Sequence, residues 1–124
     1  MADPDPEQKY LPLTESTTYI LLALTKPLHG YGVMQKVREM SDGLVEIGAG
    51  TLYGALSTLQ KEGLIHKVHE GKRRKSYTLT PKGKQVLQGQ IRRLEIMTRE
   101  GVKAIDSPTW AAGRREGDGK DEIA

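Results

Sequence analysis

Two short stretches carry the residues most able to do chemistry. Gly50-Thr-Leu-Tyr-Gly-Ala-Leu56 sets a hydroxyl, a phenol and two glycines along one helical run, and Lys72-Arg-Arg-Lys75 places four cations side by side. Hydroxyls, cations and the free N–H groups of a helix start all recognise phosphate oxygens. Nothing comparable points to catalysis. The histidines are His29, His66 and His69, and the last two are three apart on a strand-like run, so they face opposite sides and make a poor metal pair. The chain has no cysteine, which excludes disulfides, thiol nucleophiles and cysteine-built zinc sites. A metal sensor would want thiolates or a His/carboxylate cluster. No catalytic residue, metal ligand or cofactor is therefore expected, and the chain is read as a non-enzyme.

The charge distribution supports a polyanionic partner. The net charge is only +3 over 124 residues, but residues 61–93 hold ten Lys/Arg against two Asp/Glu, while the flanking stretches are net acidic. A localised basic segment is the electrostatic footprint of a nucleic-acid binder. Taken alone, the same run would more often be a solvated face. Its position relative to the other elements decides.

Those elements follow from periodicity and punctuation. Thr14-Glu-Ser-Thr precedes a buried helix over Thr18–Thr25 that Pro27 stops. His29-Gly-Tyr-Gly32 makes a tight connection, with Gly30 able to take a positive φ. A second helix over Tyr31–Met40 repeats Val33, Val37 and Met40, and Ser41-Asp-Gly43 ends it before the short extended linker Leu44–Ile47. The third helix, Ala49–Glu62, buries Leu52, Leu56 and Leu59 and closes on Gly63. A two-stranded hairpin is expected from Leu64–His69 and Lys75–Leu79, with Tyr77 and Leu79 facing inward. Thr80-Pro81 then caps a long helix that runs to about Ile105.

Three helices, a hairpin and a long final helix make the fold class mainly α with a small β-hairpin: a winged helix-turn-helix plus a C-terminal dimerisation helix. In that plan the third helix enters the DNA major groove with its N-terminal residues nearest the bases. Gly50, Thr51, Tyr53, Gly54 and Ser57 face away from the leucine stripe and become the DNA-binding candidates. Lys72, Arg73, Arg74 and Lys75 at the wing reach for phosphate or minor groove, and Lys36 on the second helix is a backbone contact. The bland readings are a core aromatic for Tyr53, a solvated turn for the wing and a surface lysine for Lys36.

The same residues carry a family likeness. His29-Gly-Tyr-Gly32, Gly50-Thr-Leu-Tyr-Gly-Ala-Leu56, Leu59-Gln-Lys-Glu-Gly-Leu-Ile65 and Arg73-Arg-Lys-Ser-Tyr-Thr-Leu-Thr80 with Lys82-Gly83 resemble the PadR family of transcriptional regulators over about residues 12–105. The resemblance implies a homodimeric repressor of nearby genes, in many members released by a small aromatic or drug-like ligand. It departs at Gly48, where a Ser or Thr cap is common, and in a short C-terminal part similar to the smaller branch of the family.

Residues 1–11 are read as a flexible lead, 12–80 as the DNA-binding domain, 81–106 as the dimerisation helix and 107–124 as a disordered, polar tail. Ile91, Leu94, Val102 and Ile105 are expected in the dimer interface, and Trp110 is a ligand-contact candidate beside simpler packing. The expected partners are double-stranded DNA with a palindromic operator, a second copy of the chain and a small-molecule effector. Alternatives are a winged helix acting through protein–protein contacts, or a regulator with no ligand. The longest apolar run, Tyr19–Leu24, is too short for a bilayer, and the acidic lead MADPDPEQK is unlike a signal peptide, so a cytoplasmic protein is expected.

Overall fold

The computed structural model describes residues 6–69 and 75–106. The chain divides into two units, Met1–Gln90 and Ile91–Ala124. The first contains α1 (Pro6–Tyr10), α2 (Glu15–Ala23), β1 (Leu28–His29), α3 (Gly30–Met40), α4 (Ala49–Lys61), β2 (Ile65–His69) and β3 (Lys75–Leu79). The last helix, α5 (Pro81–Ile105), starts in the first unit and continues into the second.

The helix boundaries obey local capping chemistry. The Thr14 hydroxyl accepts the Thr17 N–H at 3.1 Å, which starts α2 at Glu15, ahead of the expected Thr18. At the other end of α4, Gly63 takes φ +78°, and the N–H groups of Gly63 and Leu64 donate to the carbonyls of Gln60 and Leu59. That is a Schellman closure, and it needs a residue tolerant of positive φ. Ser41-Asp-Gly43 ends α3 with positive φ at Asp42 and Gly43, while the Ser41 hydroxyl accepts the Val45 N–H at 3.0 Å. Thr80 caps α5 by accepting the Gly83 N–H at 3.0 Å.

The sheet is larger than the expected hairpin. It has three antiparallel strands in the order β1-β3-β2, with Leu28 opposite Tyr77 and Ile65 opposite Leu79. Two residues are too few for an alternation pattern to reveal β1. Its effect is to make β3 central, so that Ser76 lies between His29 and Val68 and is buried along with Tyr77. The core of the first unit is built from Ile20, Leu21 and Leu24, Val33 and Val37, Leu52 and Leu56, Leu64 and Ile65, and Val86, all nearly inaccessible. Leu52, Leu56 and Leu59 are buried as their spacing requires, and Val86 and Leu87 pack within this unit.

Within the lead expected to be flexible, Pro6–Tyr10 forms a short helix. The Tyr10 hydroxyl donates to the Glu62 carboxylate at 3.1 Å, and the ammonium groups of Lys9 and Lys82 lie 5.4 and 5.1 Å from the Tyr10 ring centre. Leu13 follows as an anchor: the buried Gln90 carboxamide accepts its N–H and donates to its carbonyl, at 3.0 and 3.1 Å. These partners lie far along the chain, beyond the reach of local sequence patterns.

Candidate nucleic-acid interface

The candidate surface is the outer face of α4. Leu52, Leu56 and Leu59 turn one side of this helix into the core, which leaves Ala49, Gly50, Thr51, Tyr53, Gly54 and Ser57 exposed. No side chain caps its N-terminus, because the N-cap residue is Gly48 in an extended conformation. The first N–H groups of α4 are thus left for water or an incoming anion.

The glycines fall into two groups. A Cβ added to Gly48, Gly50 or Gly54 would meet no described atom within 4 Å beyond its own stretch of backbone. Gly30 is the opposite case. A Cβ there would run into the hydroxyl end of the Tyr53 side chain, with the ring carbon Cζ only 2.6 Å away. Gly30 keeps an ordinary φ, so the expected positive-φ role is replaced by this close approach; among the described residues positive φ belongs to Asp42, Gly43 and Gly63. Tyr53 is therefore neither a core aromatic nor a free arm. It is 49% exposed, with its tip resting on the start of α3.

The basic residues divide as well. Lys75 is exposed at the start of β3, paired with His69 across the hairpin. Lys36 is exposed on α3 and lies 3.8 Å from the Glu39 carboxylate, a solvent-exposed pair worth little. Lys82 serves the fold: its ammonium donates to the Glu62 carbonyl at 3.0 Å at the end of α4. Lys72, Arg73 and Arg74 lie outside the described residues, as does Trp110.

In the second unit Leu94, Ile96, Met97, Val102 and Ile105 are all exposed, and Ile91 is half-buried. Sequence reasoning overlooked Ile96 and also Gly101, which falls on the Leu94–Ile105 side of the helix and has open space where a Cβ would stand. Among the described residues, no helix is long and apolar enough to cross a membrane, and no cluster of His, Cys, Asp and Glu could hold a metal ion.

Residues 20–89 match the transcriptional regulator PadR-like family. The chain belongs to that family. The match runs from within α2 through the first turns of α5, and so includes both α4 and the sheet. The chain is 33% identical over 81 residues to a transcriptional regulator of Mycobacterium tuberculosis, covering 63% of this chain and 73% of that protein. It is 36% identical over 89 residues to an uncharacterized 37.1 kDa protein in transposon TN4556 of Streptomyces fradiae, covering 71% of this chain but only 24% of that protein's length. Among solved structures, it resembles a PadR family transcription regulator from Clostridium difficile with a TM-score of 0.62 and 26% identity, over 71% of this chain and 95% of that one. This PadR chain is thus a transcriptional regulator built on a winged helix, with a three-stranded sheet and a long C-terminal helix.

Proposed function

We propose that this PadR-family chain is a homodimeric repressor that binds a palindromic operator and reads it with the N-terminal half of α4. Gly50, Thr51, Tyr53, Gly54 and Ser57 form the reading face in this proposal, with Lys36 and the wing cations Lys72, Arg73, Arg74 and Lys75 on phosphates. The exposed apolar positions Leu94, Val102 and Ile105, with Ile91, meet the second copy. Release by a small aromatic molecule, with Trp110 as a contact candidate, enters through the family resemblance.

The observation that carries the reading is the openness around Gly50 and Gly54. Beyond the helix's own backbone, no described atom approaches the place where either Cβ would stand, so no described packing contact requires glycine there. Inside a helix, as at Gly54, glycine costs about 1 kcal/mol relative to alanine. A partner backbone or base edge that must come close to α4 accounts for both positions. Uncapped N–H groups at the same helix end add an affinity for phosphate.

Selection of duplexes from a randomised pool, followed by footprinting, tests the proposal. The expected site is a rough palindrome with half-sites about 34 Å apart, or a multiple of that. Equal binding to every duplex, or full affinity for one asymmetric half-site, would overturn it.

A further inference from the structure

We infer that Gly30 is a positioning residue for DNA reading: by lacking a Cβ it forms the seat in which Tyr53 fixes the rotation of α4. The inference rests on the proposed role of α4, and concerns a residue on a different helix from the reading face.

The leucine stripe sets the rotation of α4 coarsely, and the Tyr53 contact fixes it more finely. Leu52, Leu56 and Leu59 pack α4 against the core, and turning the helix far would expose them. The Tyr53 contact is of another kind. Tyr53 projects from the exposed side of α4, and its rigid ring ends against main chain at the first residue of α3. The space it uses exists only because position 30 has no side chain: a Cβ there would stand 2.6 Å from Cζ and 2.9 Å from Cε1. A planar ring leaves such a seat only by turning as a whole about χ1, whereas an aliphatic tip yields by moving one methyl. The neighbouring glycine differs in this respect. A Cβ on Gly32 would meet aliphatic and imidazole side-chain atoms, Leu28 Cδ1 at 2.8 Å, Leu28 Cγ at 3.0 Å and His29 Cε1 at 3.2 Å, and no main chain among them.

Reading base edges requires side chains held within about half an ångström of their productive placement. A wedge between Gly30 and Tyr53 would displace the two helices of the helix-turn-helix where α4 presents Thr51 and its first turn. Sequence choice should suffer before general DNA affinity, because phosphate contacts elsewhere tolerate small displacements better than base contacts do.

The test is a double-mutant cycle of Gly30→Ala and Tyr53→Ala, with Gly32→Ala as control and Tyr53→Phe to keep the ring while removing the hydroxyl. Each protein is melted, then titrated on a duplex selected by the unaltered chain and on a scrambled duplex of equal length. Gly30→Ala alone should lower the melting temperature and reduce the selected-to-scrambled affinity ratio by about tenfold. In the Tyr53→Ala background the same substitution should change neither quantity, because the ring it collides with is gone. Gly32→Ala should keep the parental ratio, and Tyr53→Phe should leave the cycle with Gly30→Ala intact. If Gly30→Ala folds too poorly to titrate, recovery of melting temperature in the double variant upholds the seat, and a double variant as unstable as the single one overturns it. A parental affinity ratio after Gly30→Ala overturns the positioning role. A parental chain with no duplex preference defeats the proposed function and the positioning role with it, while the melting cycle still decides the contact.

Discussion

Gly83, in the first turn of α5, lies directly on the main-chain carbonyl of Leu64, so near that a Cβ would stand 2.9 Å from the carbonyl carbon and closer still to the oxygen. Around this contact the end of α4 and the start of α5 are tied together. The Thr80 hydroxyl donates to the Gly63 carbonyl at 2.6 Å, the Thr80 N–H donates to the Leu64 carbonyl at 3.0 Å, and the Lys82 ammonium takes the Glu62 carbonyl. Three successive carbonyls beyond the helix are satisfied by one turn of the next element. The Lys82-Gly83 pair thus belongs to the joint between helices and not to the charged surface.

Gly83→Ala should therefore destabilise the protein. The obstacle is backbone, which cannot rotate away, so α5 must shift from Leu64 and strain the hydrogen bonds around it. Overpacking of this kind costs about 1–3 kcal/mol. Urea denaturation should show a lower midpoint with little change in slope. A midpoint equal to that of the parent would mean that the joint has slack.

Much of this fold is legible in the sequence wherever the cause is local. Thr14, Gly63 and Thr80-Pro81 announce helix ends through their own backbone chemistry, and the spacing of Leu52, Leu56 and Leu59 gives the buried face of α4 directly. The misreadings come from contacts across the chain. Gly30 reads as a turn glycine until Tyr53, 23 positions later, is found resting on it. The strand β1 owes its existence to β3, and the tie between Gln90 and Leu13 spans 77 positions that no local pattern connects. At the candidate interface, the exposed face of α4 follows from the leucines, while the division of the basic residues between surface and joint does not.

The Gln90 anchor leads to a second expectation. Its carboxamide satisfies both main-chain polar groups of Leu13, and Gln90 itself is buried. Gln90→Leu keeps most of the volume but leaves the Leu13 N–H and carbonyl without their partner. Leaving buried polar groups unsatisfied costs about 1–3 kcal/mol. Hydrogen exchange at the Leu13 amide should accelerate strongly while amides in α4 stay protected. Equal acceleration in α4 would mean that the lead and the helix-turn-helix open as one unit.

Leu94→Asp addresses the proposed dimer. Leu94, Met97 and Ile105 are exposed on α5 of a single chain, and Met97 reaches 61%. A carboxylate is well tolerated on a solvated helix and poorly tolerated in an apolar seam. Sedimentation of the variant should show a folded monomer, or a dimer that dissociates at much higher concentration. An unchanged dimer would place the seam elsewhere.

The last expectation separates the wing from α4. Phosphate contacts position the protein and carry counterion release, while base contacts carry sequence choice. If Arg73 and Arg74 touch phosphates, replacing each by Ala should weaken selected and scrambled duplexes alike, and flatten the slope of log affinity against log salt by about 0.9 for each phosphate no longer neutralised. Thr51 stands exposed in the first turn of α4, beside the uncapped N–H groups of that helix. Its methyl and hydroxyl suit a base edge, and Thr51→Ala should cost about 1–3 kcal/mol on the selected duplex, little on the scrambled one, and leave the salt slope unchanged. Salt titrations of the three variants on both duplexes measure all of these quantities together. Parental slopes in the arginine variants would make the wing a solvated turn. Equal losses on the two duplexes for Thr51→Ala would make the start of α4 a phosphate anchor, and would move base reading further along the helix toward Gly54 and Ser57.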